Sequence, residues 1–403
     1  MTSRGLAKPA APAFAGRVGR LATSAIGSVL GQSSAGLIGL AAGSPAPESF
    51  GADAVASAAA RLLAERGDAL QYGDTSGLLE LREWIAGHVG GLLGRECSAA
   101  ETVLTHGSQQ GLDLICKALL DPGDVVVVDR PTYVGALQVF RLYGADVVDV
   151  SLTEGDGLAR LERLLAGGTA VKLLYVVADY ANPTGATLAL EGRQRLTELA
   201  AEHGFLLVED DPYGELGYRD GAARLPAIAS LSPSVIRMGS FSKVLFPAAR
   251  LGYLTGPDRL APVLHTLKQA ADLGNSRLLE LLVNDLVRTD GYLQARIADA
   301  RKLYRTRRDA LAGALRDAFG RDLEFDVPDG GFFIWARLPG GASASRLLPE
   351  ALAEGVSFVP GAAFYVSSPD DATLRLSFSQ APSATMNEAV LRLHRAWRRS
   401  ARN

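Results

Sequence analysis

Short apolar runs alternate with amphipathic segments over most of the chain. After the turn-rich stretch Gly43 to Pro47, the 3.6-residue period predicts a helix from about Ala52 to Arg66 and another that begins near Gly77. Further helices are predicted at Gln109 to Leu120 and Gly192 to His203. The runs of strand length are Thr102 to Thr105, Val125 to Val128, Val147 to Val150, Leu173 to Val177, Phe205 to Val208, Val235 to Met238 and Leu251 to Leu254.

Continuous apolar strands that alternate with helices are typical of α/β proteins whose mainly parallel sheet is covered on both faces. Such sheets bind ligands at the carboxyl ends of their strands. The pattern changes after about Gly274, where one or more long helices are predicted from Arg277 to Ala318. Strand-like segments follow around Gly331 to Leu338, Val356 to Val359 and Leu374 to Phe378, and a final helix begins near Asn387. We therefore expect a large α/β domain at 48–285, and a smaller α+β domain formed by 1–47 and 286–403.

Composition narrows the class of ligand. The 403 residues are 48% hydrophobic and carry a net charge of −3, so no overall field attracts nucleic acid or an anionic membrane. We expect a small-molecule ligand instead. Cys97 and Cys116 lie outside any metal-ligand spacing and the five histidines are scattered, so neither a metal site nor a disulfide is expected. Gly, Ser, Arg and Pro interrupt each apolar run before it reaches membrane-spanning length.

The N-terminal segment superficially resembles a transit peptide, because it contains basic residues but no acidic residue before Glu48. Pro9 and Pro12 interrupt any signal-peptide core. We interpret the stretch from Gly16 to Leu30 as a helix of the mature protein and expect a cytoplasmic location.

The sharpest chemical feature is Lys243, which stands among hydroxyl groups just after an apolar strand, in the segment Gly239 to Tyr253. A lysine becomes a useful imine-forming nucleophile where its surroundings lower its pKa. A hydroxyl-rich turn with Arg250 downstream suits a bound phosphate. Taken alone, the segment is equally compatible with a surface lysine in a polar turn.

Polar groups follow other predicted strands as well. Asp210 and Asp211 end one strand, where a carboxylate could keep a pyridinium nitrogen protonated or simply cap a helix. Asn182 begins the sequence Asn-Pro-Thr-Gly, which is either an ordinary turn or a ligand contact. The small-residue turn Thr105 to Gly111 leads into a helix N-terminus, which favours phosphate.

In combination, these motifs resemble the fold-type I pyridoxal-5′-phosphate (PLP) enzymes of the class I/II aminotransferases, and among them the 2-aminoadipate and kynurenine aminotransferase group. The resemblance covers nearly the whole chain in order and spacing. It rests on Gly43, Gln71-Tyr72-Gly73, Gly107 to Gln110, Pro131-Thr132-Tyr133, Asn182 to Gly185, Asp210 to Tyr213, Ser240 to Arg250, Gly330 to Phe333 and Leu374 to Ser377. It implies an aspartate aminotransferase-like fold with a mainly parallel, seven-stranded type of sheet.

The resemblance implies a catalytic set of Lys243, Asp210 and Tyr213. Lys243 would hold PLP as an imine and, once displaced, shuttle a proton between the substrate Cα and the cofactor. Asp210 would pair with the pyridine nitrogen, rather than Asp211. Asn182 and Tyr213 would hydrogen-bond the phenolic oxygen of the cofactor.

The remaining cofactor contacts follow from the same resemblance. Tyr133 would stack on the cofactor ring. The phosphate would lie among Ser108, Gln109, Ser240, Ser242 and Arg250. Tyr72 would reach the phosphate in a neighbouring subunit, which implies a homodimer with active sites shared across the interface.

On the substrate side, the resemblance implies that Arg375 binds the α-carboxylate as a bidentate pair, the alternative being an edge-strand surface arginine. Asn182, Gly43, Arg20 and Tyr180 complete the candidate substrate-binding set. The substrates would be an amino acid and a 2-oxo acid.

The chain also departs from the family pattern. Glutamine often precedes the asparagine in the family, but here Asn182 follows Ala178-Asp179-Tyr180-Ala181, so one face of the pocket should differ. In the 2-aminoadipate group, a helix resembling Arg20 to Ile26 continues with an arginine that holds an acidic side chain, whereas this chain has Gly27. A dicarboxylic amino acid is therefore not expected as the principal substrate, unless Arg17 or Arg20 compensates.

Two alternatives remain at this point. The same cofactor apparatus serves elimination, replacement, decarboxylation and ring formation, so a biosynthetic enzyme acting on an unusual amino acid is the alternative to amino transfer. A PLP-binding transcription regulator is a second alternative. It would need a DNA-binding domain before the fold, for which the roughly 45 residues at the N-terminus leave no room.

Overall fold

The computed structural model describes residues 13–20, 36–153, 155–219, 221 and 223–400. In chain order the strands are β1 (Ile38–Gly39), β2 (Thr102–Thr105), β3 (Val125–Asp129), β4 (Asp146–Val150), β5 (Val171–Val176), β6 (Leu206–Asp211), β7 (Ile236–Ser240), β8 (Gly252–Thr255), β9 (Glu324–Phe325), β10 (Phe333–Arg337), β11 (Val356–Ser357), β12 (Val359–Pro360) and β13 (Thr373–Ser377). The helices are α1 (Ala52–Glu65), α2 (Leu79–Leu93), α3 (Gly107–Leu119), α4 (Val134–Tyr143), α5 (Gly157–Ala166), α6 (Leu190–His203), α7 (Ile228–Leu231), α8 (Leu260–Asp272), α9 (Arg277–Arg288), α10 (Tyr292–Phe319), α11 (Ala344–Ala353) and α12 (Met386–Ser400).

The central element is a seven-stranded sheet in the order β2-β8-β7-β6-β5-β3-β4. All neighbouring pairs are parallel except those of β8, which runs antiparallel to both β2 and β7. Val126, Val127 and Val128 of β3 are fully buried, because helices cover both faces of the sheet. The predicted α/β class with a mainly parallel sheet is confirmed.

The C-terminal part contains a second, four-stranded antiparallel sheet in the order β12-β13-β10-β9. Beside it, β1 pairs in parallel with β11, with Ile38 opposite Val356. This pairing joins the N-terminal segment to the C-terminal part. The boundaries at 47/48 and 285/286 stay a prediction.

The one or more long helices expected from Arg277 to Ala318 are two, because Thr289 adopts extended backbone that ends α9 before α10 begins. Two other predicted elements differ in detail. The strand expected at Val356 to Val359 is divided into β11 and β12, which join different sheets. Of the helix expected from Gly16, the structure describes a 3₁₀ turn at Gly16–Arg20 that packs against α4, and the rest lies outside the described residues.

The strand ends decide where a ligand can bind. Since β2, β5, β6 and β7 run in the same direction, their carboxyl ends meet at one edge of the sheet. Asp210 lies at the end of β6, and the segments that follow β2, β5 and β7 carry Ser108, Asn182 and Lys243. Within the described ranges, no helix is long and apolar enough to cross a membrane.

Candidate active site

A cleft of about 350 Å³ opens at this edge of the sheet, between it and the C-terminal sheet. Most of the predicted site residues line it: Gly43, Ser108, Gln109, Tyr133, Asn182, Asp210, Tyr213, Ser240, Ser242, Lys243, Arg250 and Arg375. The structure therefore brings together groups that lie up to about three hundred residues apart in sequence, as binding at a strand-end edge requires.

Lys243 lies in the turn that follows β7 and is half-buried in the cleft. Its Nζ donates a hydrogen bond to the Gly43 carbonyl at 2.8 Å, and it lies 5.6 Å from the ring centre of Phe332. Burial lowers the pKa of Lys243 to about 8, and the like charges of Arg375 and Arg250 contribute in the same direction. A lysine with this pKa is about half in the neutral, nucleophilic form at pH 8, where an unperturbed lysine is almost wholly protonated.

Asp210 and Asp211 point to opposite faces of β6, as successive strand residues do. Asp210 lines the cleft, whereas Asp211 forms ion pairs behind it with Arg224 and Arg237. The pKa of Asp210 is raised to about 6, chiefly by burial, and the charge of Asp211 acts in the same direction. The preference for Asp210 over Asp211 as the cleft residue thus agrees with the geometry.

Tyr175, at the end of β5, was not identified from the sequence. Its hydroxyl donates to Asp210 Oδ2 at 2.7 Å, while Oδ1 of the same buried carboxylate has no hydrogen-bond partner among the described residues. This hydrogen bond lowers the pKa of Asp210 and so opposes the effect of burial. The sequence does contain a signal for Tyr175, because it is the one hydroxyl-bearing residue in the apolar run Leu173 to Val177.

One end of the cleft offers groups that suit an anion. Gly107 begins α3 with a φ of +73°, a left-handed conformation that favours glycine, and the helix then presents Ser108 and Gln109. Ser240, Ser242 and Arg250 line the same cleft from the turn after β7. Arg250 itself has a φ of +47°, which is unusual for a non-glycine residue and holds its Nη2 3.1 Å from the His106 carbonyl.

Arg375 approaches from β13, on the C-terminal sheet, and is only 3% exposed. Its Nη1 donates to Asn182 Oδ1 at 2.7 Å and its Nη2 to the Ala41 carbonyl at 2.6 Å. Its Nε has no partner among the described residues, and no carboxylate is paired with the guanidinium there. Burial lowers the pKa of Arg375 to about 10. A buried cation without an anion is costly, so this arrangement indicates the binding place of a carboxylate.

Aromatic rings form the walls between these polar groups. Tyr213 is buried and meets Phe332 and Phe333 edge-on, at ring-centre distances of 5.4 and 6.1 Å. Burial raises the pKa of Tyr213, so its hydroxyl stays protonated and can donate. Tyr133 lines the opposite part of the cleft, with its hydroxyl 3.4 Å from Gln109 Oε1.

Two candidate substrate residues, Tyr180 and Arg20, do not line the cleft of this chain, and their roles in substrate binding stay predictions. The ring of Tyr180 packs on the backbone of Gly330 and reaches Gly217 with its hydroxyl, because a φ of +52° turns its side chain away. Arg20 lies over Gly144, at the end of α4 far from Tyr133. Gly27, the other position of departure, is outside the described residues.

Tyr72 also lies outside the cleft and is 84% exposed. It borders a surface depression of about 540 Å³ together with Leu70 and Leu273, which are 78% and 59% exposed. Asn275 lines the same depression and neither polar atom of its buried side chain has a partner among the described residues. Exposed apolar residues around unpaired polar atoms mark a surface that suits contact with another chain.

These residues fit PLP. Asp210 Oδ1 is a buried acceptor without a donor, as a protonated ring nitrogen requires, and the hydroxyls of Ser240 and Ser242 with Arg250 suit the phosphate. Lys243 supplies the amine for an aldehyde. Of the titratable residues that the structure describes, no three His, Cys, Asp or Glu converge on a possible metal position.

Comparison with known proteins agrees with this geometry. The family model described as "Aminotransferase class I and II" matches residues 35–393. A 2-aminoadipate transaminase of Thermus thermophilus is 38% identical over 95% of this chain and 96% of its own length. An aromatic-amino-acid aminotransferase of Thermococcus litoralis is 35% identical over 89% of this chain and 87% of its own.

A solved structure shows the same overall arrangement. The crystal structure of alpha-aminoadipate aminotransferase from Thermus thermophilus, in complex with N-(5′-phosphopyridoxyl)-L-leucine, superposes with a TM-score of 0.88 at 37% sequence identity. The match covers 96% of this chain and 98% of that one.

Proposed function

The chain belongs to the class I and II aminotransferases and is a PLP-dependent enzyme acting on amino acids. From that premise we propose which residues of the cleft bind the cofactor, which transfer the proton and which bind the substrate. The observation that carries the proposal is that one cleft contains both an acceptor and a donor without hydrogen-bond partners. Asp210 Oδ1 lacks a donor, Arg375 Nε lacks an acceptor, and Lys243, whose amine has a lowered pKa, lines the same cleft as these two residues.

Asp210 would hold a proton on the pyridine nitrogen of PLP through its free Oδ1, with Tyr175 fixing the other oxygen. Asn182 and Tyr213 would donate to the phenolic oxygen, and Tyr133 would cover one face of the ring. Ser108, Gln109, Ser240, Ser242 and Arg250 would hold the phosphate. When bound, the cofactor supplies a protonated ring that accepts the electron pair released at the substrate Cα.

Lys243 would first hold the cofactor covalently and then act as the general base at the substrate Cα. Its lowered pKa suits both roles, because the neutral amine is the form that attacks an aldehyde and the form that accepts a proton. Burial of the cleft strengthens each of these charge interactions by excluding water.

Arg375 would bind the substrate α-carboxylate. The carboxylate would then supply the counter-charge that the buried guanidinium of Arg375 lacks. Among the described cleft residues the charged ones are Asp210, Lys243, Arg250 and Arg375, and each has a role in the proposal. These residues therefore leave no further cation for an acidic side chain. Apolar groups such as Pro45 and Phe333 line the cleft instead, so we propose an amino acid with an uncharged side chain as the principal donor.

The homodimer is part of the proposal. Tyr72 is too exposed to serve its own cleft, and it borders the apolar depression that includes Leu273. Pairing of this depression with a second copy would bury Leu70 and Leu273 and allow Tyr72 to reach the phosphate in the partner's cleft. A cytoplasmic location stays a prediction.

The test is a half-reaction. The PLP-loaded protein is mixed with leucine, phenylalanine or 2-aminoadipate without a 2-oxo acid, and pyridoxamine phosphate is measured by chromatography. Amino transfer with an uncharged donor yields one equivalent from leucine or phenylalanine and less from 2-aminoadipate. Product formation without pyridoxamine phosphate favours the alternative of elimination, replacement, decarboxylation or cyclisation. Full borohydride-trappable cofactor in Lys243→Ala would contradict the assignment of the lysine.

A further inference from the structure

Charged side chains that alternate in sign form a continuous row beneath the cleft, separate from the groups that line it. Each member pairs with the next at an ion-pair distance, and all except Arg224 are less than a tenth exposed. In order they are Arg193, Asp179, Arg224, Asp211, Arg237 and Glu209. The equal numbers of carboxylates and guanidinium groups leave the row neutral.

One half of the row belongs to the loop that precedes Asn182. Asp179 is 4% exposed and is paired with the fully buried Arg193. Arg193 also donates to the backbone carbonyls of Leu188 at 2.8 Å and Pro226 at 2.9 Å. Asp179 therefore fixes the turn from which Asn182 reaches Arg375. It lies in the stretch Ala178 to Ala181, in which this chain departs from the family pattern.

The other half belongs to the end of β6. Asp211 directly follows Asp210 and accepts from the guanidinium of Arg237 and, at 2.9 Å, from the backbone N–H of Gly214. Arg237 donates to Glu209 at 3.2 Å. These contacts fix the backbone on both sides of Asp210.

Arg224 joins the two halves. Its Nε and Nη2 donate to Asp179 Oδ2 at 3.1 and 2.9 Å, and the same Nη2 lies 2.7 Å from Asp211 Oδ2. The guanidinium fills the space above Gly214, where a Cβ would come within 1.9 Å of Nη2. Within the described ranges, no other side chain touches both Asp179 and Asp211 through a charge contact.

We propose that Arg224 is a positioning residue that holds Asp179 and Asp211 together. It thereby fixes the loop that carries Asn182 relative to the strand end that carries Asp210. Asn182, which would bind the phenolic oxygen of PLP and accepts a hydrogen bond from Arg375, is then held at a constant separation from Asp210, which would bind the ring nitrogen. This inference rests on the proposed roles of Asn182 and Asp210, and it adds a residue outside the cleft to that assignment.

Arg224→Met tests the proposal by removing the shared cation while retaining the length of the side chain. The expected result is a rise of about tenfold in KM for the amino acid in steady-state amino transfer to a 2-oxo acid, because small displacements of binding groups are costly, with a smaller change in kcat. Arg224→Lys retains the charge and should recover part of the loss. Gly214→Ala retains every charge but displaces the guanidinium, so it should raise KM as well.

Arg219→Met is the matched control, because Arg219 lies in the same loop but forms its ion pair with Asp329 at the surface. Thermal melting of the cofactor-free variants shows which of them fold. If Arg224→Met does not fold, Gly214→Ala and Arg224→Lys test the same prediction. Wild-type KM in Arg224→Met, or an equal loss in Arg219→Met, overturns the positioning role alone. A wild-type protein that takes up no PLP overturns the proposed function, and this inference with it.

Discussion

Tyr175 donates its hydroxyl hydrogen to one oxygen of Asp210, at 2.7 Å, and leaves the other oxygen of that buried carboxylate free to meet the cleft. The two residues belong to adjacent parallel strands, β5 and β6. The hydrogen bond opposes burial, which raises the pKa of Asp210 to about 6. Tyr175 therefore helps to keep the carboxylate ionised at neutral pH, as pairing with a protonated ring nitrogen requires.

Tyr175→Phe should raise the pKa of Asp210 further, because it removes a hydrogen bond that favours the charged form. The ionised fraction at pH 7 then falls, and the dissociation constant for PLP should rise by about three- to tenfold. Absorbance titration with PLP at several pH values measures this, and the loss should shrink as the pH rises. Tyr143→Phe is the control. Tyr143 also donates its hydroxyl to an aspartate, Asp113, at a distance of 2.8 Å, but neither residue lines the cleft. Equal affinities in the two variants would contradict the role of Tyr175.

The uptake of PLP should depend on pH through Lys243. The pKa of this lysine is lowered from 10.5 to about 8, and only the neutral amine attacks the aldehyde. Below pH 8 the rate constant should therefore rise by about tenfold per pH unit and then level off above it. Stopped-flow mixing of cofactor-free protein with PLP gives the curve. Division by the rate constant of N-acetyl-lysine amide at the same pH, calculated per neutral amine, removes the titration of PLP itself.

Arg375→Met should shift that curve to higher pH, because it removes a like charge that lowers the pKa of Lys243. Arg219→Met, at the surface, should leave the curve in place. A wild-type rate that still climbs beyond pH 10 would show that the lysine is not perturbed.

Arg375→Lys should weaken binding of the amino acid substrate far more than it slows the chemical step. The lysine retains the charge but loses the two-pronged geometry, so KM should rise by about a hundredfold. The decisive measurement is the preference for an amino acid over the amine that lacks its carboxylate. That preference should collapse in the variant, whereas an undiminished preference would place the carboxylate elsewhere.

Tyr72→Ala tests the shared active site of the proposed homodimer. Alone, the variant should bind PLP weakly, and Lys243→Ala should be inactive. Mixed dimers of the two should contain one composite site with both native residues, so that random pairing restores about a quarter of the wild-type activity. Sedimentation measures the dimer itself. A monomeric protein, or mixtures with no more activity than their components, would contradict the shared site.

The strands of the large sheet were predictable because each is a short apolar run whose pattern depends on its own residues alone. All of the predicted runs from Thr102 to Leu254 became strands, with shifts of no more than two residues at their starts and three at their ends. The motif residues around Lys243 were predictable for a related reason, since strand ends of one direction must meet at one edge.

Tyr175 and Arg224 could not be identified in this way. Tyr175 looks like any aromatic residue in a buried strand until the register places it beside Asp210. Arg224 lies in a loop without periodic pattern, and its partners come from two separate strand ends. The positive φ of Tyr180, which turns its ring away from the cleft, likewise depends on its packing against Gly330.

By itself, the sequence determined the class of fold, a mainly parallel sheet and the set of groups at its strand ends, because hydrophobic period and turn chemistry act over neighbouring residues. Only the tertiary structure decided which of those groups face the cleft, which are neutralised behind it, and which atoms are left without partners. Burial, hydrogen bonding and charge pairing depend on residues that are distant in the chain. Asp210 and Asp211 illustrate the difference: they are adjacent in sequence, yet one faces the cleft and the other is neutralised behind it by two arginines.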